Sequence, residues 1–200
     1  MRLMIGIITA MLTTSIWANT LTEKNMNTEN LILCTSKGSP VVIQLRDDLA
    51  PKHVERIKKL ASEGFYNGIV FHRVIEGFMA QTGDPTGTGT GGSSYPDMDA
   101  EFTAENFSRG TVGMARSQNP NSANSQFFIC YQDASFLNKQ YTVFGQVIQG
   151  MEYIDQLNKG PSSDNGAVPV DQQDRIEKAY LSSESTQSCS SNQASAEHIS

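Results

Sequence analysis

The spacing of its apolar runs constrains this chain more than any other feature. Short stretches of branched and aromatic residues recur between turn-rich segments, and only two stretches carry helical periodicity. Residues 31–35 and 41–45 flank the turn Ser36-Lys37-Gly38-Ser39-Pro40 and read as a hairpin. Further strand-like pieces fall at 70–74, 78–81, 111–115, 126–131, 140–148 and 175–181. The first helical stretch runs from Pro51, suited to an opening turn, to Gly64, suited to the position past the end. Val54, Ile57, Leu60 and Ala61 share its apolar face, and His53 is expected in solvent with the charged residues. The second helix is expected over 151–158, with Met151, Ile154 and Leu157 facing inward. So many strands with so few helices predict a mainly β domain, a closed antiparallel barrel with a helix over each open end. A small barrel is filled by its own side chains, so any ligand binds outside it.

The ends of the chain read differently. Residues 1–18 carry Arg2 and then an apolar run to Trp17, short for a membrane span but suited to a secretory signal peptide. A polar segment, 19–30, follows, so the mature protein is expected to be periplasmic or secreted. Residues 182–200 are serine-rich and without periodicity, and read as a disordered tail. The domain between them, 31–181, is long enough to bury a core without staples. A net charge of −6 with no basic run argues against a nucleic-acid partner. The three cysteines, Cys34, Cys130 and Cys189, are widely spaced and support neither a metal site nor a disulfide framework. Cys34 and Cys130 are expected as buried thiols.

Several motifs carry less than they promise. Gly87, Gly89 and Gly92 satisfy a dinucleotide-loop pattern, but Ser93-Ser94-Tyr95-Pro96 follows where a helix is required. Asp97, Asp99, Glu101 and Glu105 lack the spacing of a calcium loop and read as a solvated face. His72 lies beside Arg73 on a strand, so its side chain points to the opposite face and is taken as structural. Asn106-Phe107-Ser108 matches a glycosylation sequon. Arg73 is different. It sits among Phe71, Val74, Ile75, Phe78 and Met79, and a cation among apolar residues needs either a carboxylate or a task.

Four stretches taken together are similar to one family. FHRVIEGFMAQTGD (71–84), GTVGMARS (110–117), NSQFFIC (124–130) and FLNKQYTVFGQVIQGM (136–151) resemble the cyclophilins, peptidyl-prolyl cis-trans isomerases, in order and near-family spacing. The resemblance implies an eight-stranded antiparallel barrel capped by two helices, and no cofactor or metal. By position it implies Arg73 as the catalytic arginine and Gln81 in the groove that holds the peptide backbone; two residues from Met79, Gln81 is also placed to orient the guanidinium and is counted with the catalytic residues. It implies Phe78, Met79, Phe128 and Leu137 as the proline pocket, Phe136 and Tyr141 at its rim, and Ala115, Arg116, Gln126 and Gly89 along the peptide groove. Phe136, Tyr141 and Arg116 stand where the best-known members have tryptophan, histidine and asparagine. Phenylalanine and tyrosine at those places look like the bacterial branch, with the leader-like residues 1–18 its exported form, and the departures imply weak cyclosporin binding. The implied partners are proline-containing polypeptides, the implied state a monomer, and the implied role folding of exported proteins. A holdase that grips proline segments with little turnover is the competing reading, and a tail-mediated interaction protein a third. Rotation about an X–Pro bond breaks no covalent bond, so a chain without a nucleophile or acid–base pair suits it.

Overall fold

A computed structural model describes residues 29–184 and 186–189. The expected signal peptide and most of the polar segment lie outside the described residues, as does the tail from residue 190. Eight antiparallel strands form one sheet, in the order β3-β4-β6-β5-β7-β2-β1-β8. They are β1 (Asn30–Thr35), β2 (Gly38–Leu45), β3 (Arg73–Ile75), β4 (Met79–Thr82), β5 (Thr111–Met114), β6 (Phe127–Cys130), β7 (Val143–Gln149) and β8 (Ile176–Leu181). Helix α1 (Pro51–Ser62) packs on β8 and β7, and the shorter α2 (Met151–Asp155) packs on β2.

The expected closure is corrected: the sheet curls into an open half-barrel. β3 has only three residues and, among the described strands, pairs with β4 alone; its other side makes one isolated bridge, Arg73 to Ala167. At the seam the chain before β3 makes separate bonds instead of a ladder, Phe71 N–H to Asp174 O at 2.8 Å and Ile176 N–H to Ile69 O at 2.8 Å, with one isolated bridge, Val70 to Arg175. Strand β6 shows how the sheet makes two apolar layers. Phe127 and Ile129 point into the main core with Leu31, Ile43, Phe71 and Phe144, while Phe128 and Cys130 point outward into a second cluster with Met79, Leu137 and Val143. That is why FFIC reads as a continuous apolar run rather than an alternating one.

Three further expectations are corrected. His53 is fully buried, and its Nδ1 lies 2.6 Å from Glu101 Oε2. Glu101, read as part of a solvated face, also accepts the N–H groups of Lys52 and His53, at 3.3 and 3.1 Å. Helix α1 opens at Ala50 without a capping side chain of its own, so a carboxylate from a distant loop supplies the missing acceptor. The cysteines are not all free: Cys34 and Cys189 form a disulfide across 155 residues of sequence. Cys189 lies where a compositional reading finds only polar tail, and it packs beside Ile32, Cys34 and Tyr180.

Candidate active site

The site lies on the outer face of the sheet, and strand register builds it. Arg73 pairs with Gln81 across β3 and β4, Gln81 with Phe128 across β4 and β6, and Phe128 with Gly113 across β6 and β5. Directly opposed residues point to the same face, so this row sets a guanidinium, an amide and an aromatic ring side by side. Gly113 completes the row for a steric reason. A Cβ there would stand 2.6 and 2.7 Å from the rings of Phe107 and Phe128, which stack on each other with centres 5.7 Å apart. A glycine is therefore what seats Phe128.

The row opens into a cavity of about 370 Å³ lined by Arg73, Phe78, Met79, Gln81, Ala115, Arg116, Phe128, Phe136, Leu137 and Tyr141, together with Gln140. The ten residues named before Gln140 were all expected at the site. Met79, Phe128 and Leu137 are buried, and form its floor. Phe78 carries the Phe136 ring at 5.3 Å, and Phe136 stands 63% exposed at the rim. Tyr141 meets Phe128 edge-on at 5.7 Å and closes the other side. Gly89 and Gln126 do not line this cavity. They line an adjoining one of about 550 Å³, which shares Gln81, Ala115 and Arg116 with the first.

Arg73 meets only neutral acceptors. Its Nε donates to Asn165 O at 2.9 Å, Nη2 to Asn165 Oδ1 at 2.9 Å, and Nη1 to Gln81 Oε1 at 3.2 Å. Among the described residues no carboxylate lies within ion-pair distance of it. Each terminal nitrogen keeps one N–H uncommitted. Burial holds its pKa below the ordinary arginine value, with Tyr141 opposing, yet an arginine stays charged at any working pH. Gln81 passes the order outward: its Nε2 donates to Gln126 Oε1 at 2.9 Å, and Gln126 Nε2 donates to Gly89 O and Gly91 O at 3.1 and 2.8 Å. His72 is buried on the opposite face, as strand alternation requires, and burial depresses its pKa.

Sequence reasoning missed Asn165 and Gln140. Asn165 follows Asp164 and precedes Gly166, a turn composition, and takes the left-handed φ of 49° that asparagine tolerates. The turn is legible, but nothing local places it against an arginine 92 residues away.

The comparisons with known proteins agree with this geometry. The family described as "Cyclophilin type peptidyl-prolyl cis-trans isomerase/CLD" matches residues 31–181. The chain belongs to the cyclophilins. Such proteins are peptidyl-prolyl cis-trans isomerases, and so is this one. A "Probable peptidyl-prolyl cis-trans isomerase" of Brucella suis is 56% identical over 164 residues, covering 76% of this chain and 83% of the relative. The "Peptidyl-prolyl cis-trans isomerase-like 3" of Homo sapiens is 43% identical over 135 residues, covering 65% and 83%. A Cryptosporidium parvum cyclophilin, solved in the presence of the dipeptide Ala-Pro, superposes with a TM-score of 0.68 at 32% identity, covering 76% of this cyclophilin and 98% of that chain.

Proposed function

We propose that this cyclophilin isomerises X–Pro bonds of exported proteins, with Arg73 as its catalytic residue and Gln81 and Asn165 positioning it. The observation that carries the reading is the Arg73 guanidinium, held by neutral acceptors beside the cavity that Phe128 floors, with a free N–H on each terminal nitrogen. The proline ring fits the apolar part of that cavity against Phe78, Met79, Phe128 and Leu137. The backbone before the proline lies along Gln81, Ala115 and Arg116, towards Gln126 and Gly89. One side of the bond is held while the other turns.

The uncatalysed barrier of about 18–20 kcal/mol is amide resonance. As the bond twists, the prolyl nitrogen loses conjugation and gains a lone pair, which accepts a hydrogen bond that the planar amide cannot. Arg73 N–H donors meet that need only in the twisted state, so they lower the barrier rather than merely tighten binding. A permanent charge and a fixed fork of donors suit the task.

The exported setting is supported by the leader-like residues 1–18 and by the Cys34–Cys189 disulfide, which persists in oxidising compartments. Weak cyclosporin binding belongs to the same reading, because Phe136 offers no N–H donor at an exposed rim position. Replacing Arg73 by Ala is expected to lower turnover of a short proline peptide about a hundredfold with the fold intact. A holdase would keep peptide binding and show little turnover even in the unsubstituted protein. N-terminal sequencing of protein recovered from cells is expected to find a chain beginning near Asn19, and an intact Met1 would remove the exported setting.

A further inference from the structure

The proline cavity and the loop-lined cavity meet at a cation. Gln81, Ala115 and Arg116 line both, and of these only Arg116 carries charge. Its head is fixed in place. Nε and Nη2 donate to Gln140 O at 3.1 and 3.0 Å, and Nη1 donates to Ser117 O at 2.8 Å. The Tyr141 ring supports it, with the guanidinium carbon 4.5 Å from the ring centre. All these partners are neutral. Among the described residues no carboxylate comes within ion-pair distance of Arg116, although Arg46 and Arg109 of the same chain pair with Asp48 and Asp155 at 2.8 and 2.7 Å. In a chain of net charge −6, an arginine so well held and left without an acid is a recognition element in search of one.

We infer that Arg116 sets the sequence preference of the site, favouring proline segments with an acidic side chain immediately before the proline and disfavouring basic ones. The inference rests on the proposed seating, in which the backbone before the proline passes the 115–116 segment. Arg116 is not needed for bond rotation, which Arg73 serves. Its charge acts on whatever side chain crosses the boundary between the cavities. Asp97 lines the second of these two cavities but not the first, and its Oδ1 accepts from Asn124 Nδ2 at 3.0 Å, so the acid preference is confined to positions close to the proline. Arg116 is half-exposed, and a charge pair of that kind is worth a few-fold rather than orders of magnitude.

The test is kcat/KM, read by exchange NMR, for peptides identical except for Glu, Gln or Lys immediately before the proline. The protein is expected to rank them Glu, Gln, Lys, with a Glu-to-Lys ratio of about three to ten at low salt. That ratio falls towards one at about 1 M salt, where screening acts within about 3 Å. In Arg116→Gln it falls close to one at low salt, while Arg116→Lys keeps part of it. A ratio at or below one in the unsubstituted protein, or an undiminished ratio in Arg116→Gln, overturns the inference. Because Arg73 lines the same cavity, the salt series shows only that the preference is electrostatic; should Arg116→Gln fold poorly, Arg116→Ala, expected to give the same loss of the ratio, assigns it. The uncharged Gln peptide separates the two readings: its turnover with a flat Glu-to-Lys ratio rejects Arg116 as the selector and leaves the isomerase site standing, whereas no turnover of any peptide rejects both.

Discussion

Asn165 grips Arg73 through two atoms, its backbone oxygen and its Oδ1, each at 2.9 Å. The side chain therefore aims the fork that the mechanism depends on. Asn165→Gly keeps the left-handed backbone and the carbonyl but removes Oδ1. It is expected to lower kcat on the order of tenfold or more with KM nearly unchanged, since a hydrogen bond to a charged group contributes about 1.5–3 kcal/mol. A rise in KM without loss of kcat would make Asn165 part of substrate binding instead. At this scale the cavity lining is legible, Gln140 excepted, but the residue that holds the arginine is not. Arg73 stood out because an apolar stretch rarely contains a cation, and strand spacing put Gln81 near it. Asn165 and Gln140 could not be read, because their roles are set by the fold and not by their neighbours in sequence.

Loops and helix ends show what sequence periodicity leaves out. The glycine-rich segment after β4 contains a dinucleotide pattern, but its order comes from Asp84, which is 1% exposed. The carboxylate accepts the N–H groups of Thr86, Thr88, Gly89 and Gly91, at 2.7, 3.1, 2.6 and 3.1 Å. Burial alone would raise its pKa, but these bonds outweigh burial and hold it at about 2. The folded value lies below the ordinary one, so the stabilisation is complete above about pH 5 and is lost as pH falls towards 2. It amounts to about 2 kcal/mol. Urea denaturation of the protein is expected to show that loss between pH 5 and 2.5, whereas Asp84→Asn starts lower and stays flatter over the same window. Equal slopes would mean that the loop is ordered some other way. Helix α1 teaches the same lesson. Its apolar face was legible from spacing, but the burial of His53 was not, because it depends on Glu101 arriving from 48 residues away.

Over the whole molecule, the strand runs and the two helices were read from periodicity, and the outer-face site follows from a sheet filled by its own side chains. Closure was over-read, because nothing local reveals that β3 is too short to ladder with β8. The disulfide was missed for a similar reason: Cys189 lies in a polar run, and only the fold brings it to Cys34, with Cα atoms 5.5 Å apart. Joining β1 to the chain past β8 ties together the two ends of the domain. A crosslink spanning 155 residues restricts the unfolded chain by up to about 5 kcal/mol in the loop-entropy description. Reduction, or Cys189→Ser, is therefore expected to lower the free energy of unfolding by about 3–5 kcal/mol without changing turnover at 25 °C. A buried thiol is a poor target for reagents, and burial pushes Cys130 up to about 12, so thiol labelling of the oxidised protein should report no free cysteine until it unfolds.

The central claim is that Arg73 stabilises the twisted amide and not the bound peptide. Two-dimensional exchange NMR on a saturating proline peptide separates the two, giving the rate of interconversion on the protein and the affinity in one experiment. For Arg73→Ala the account predicts interconversion slowed about a hundredfold with affinity within about threefold of the unsubstituted protein. Unchanged interconversion, or a loss carried wholly by affinity, would contradict it.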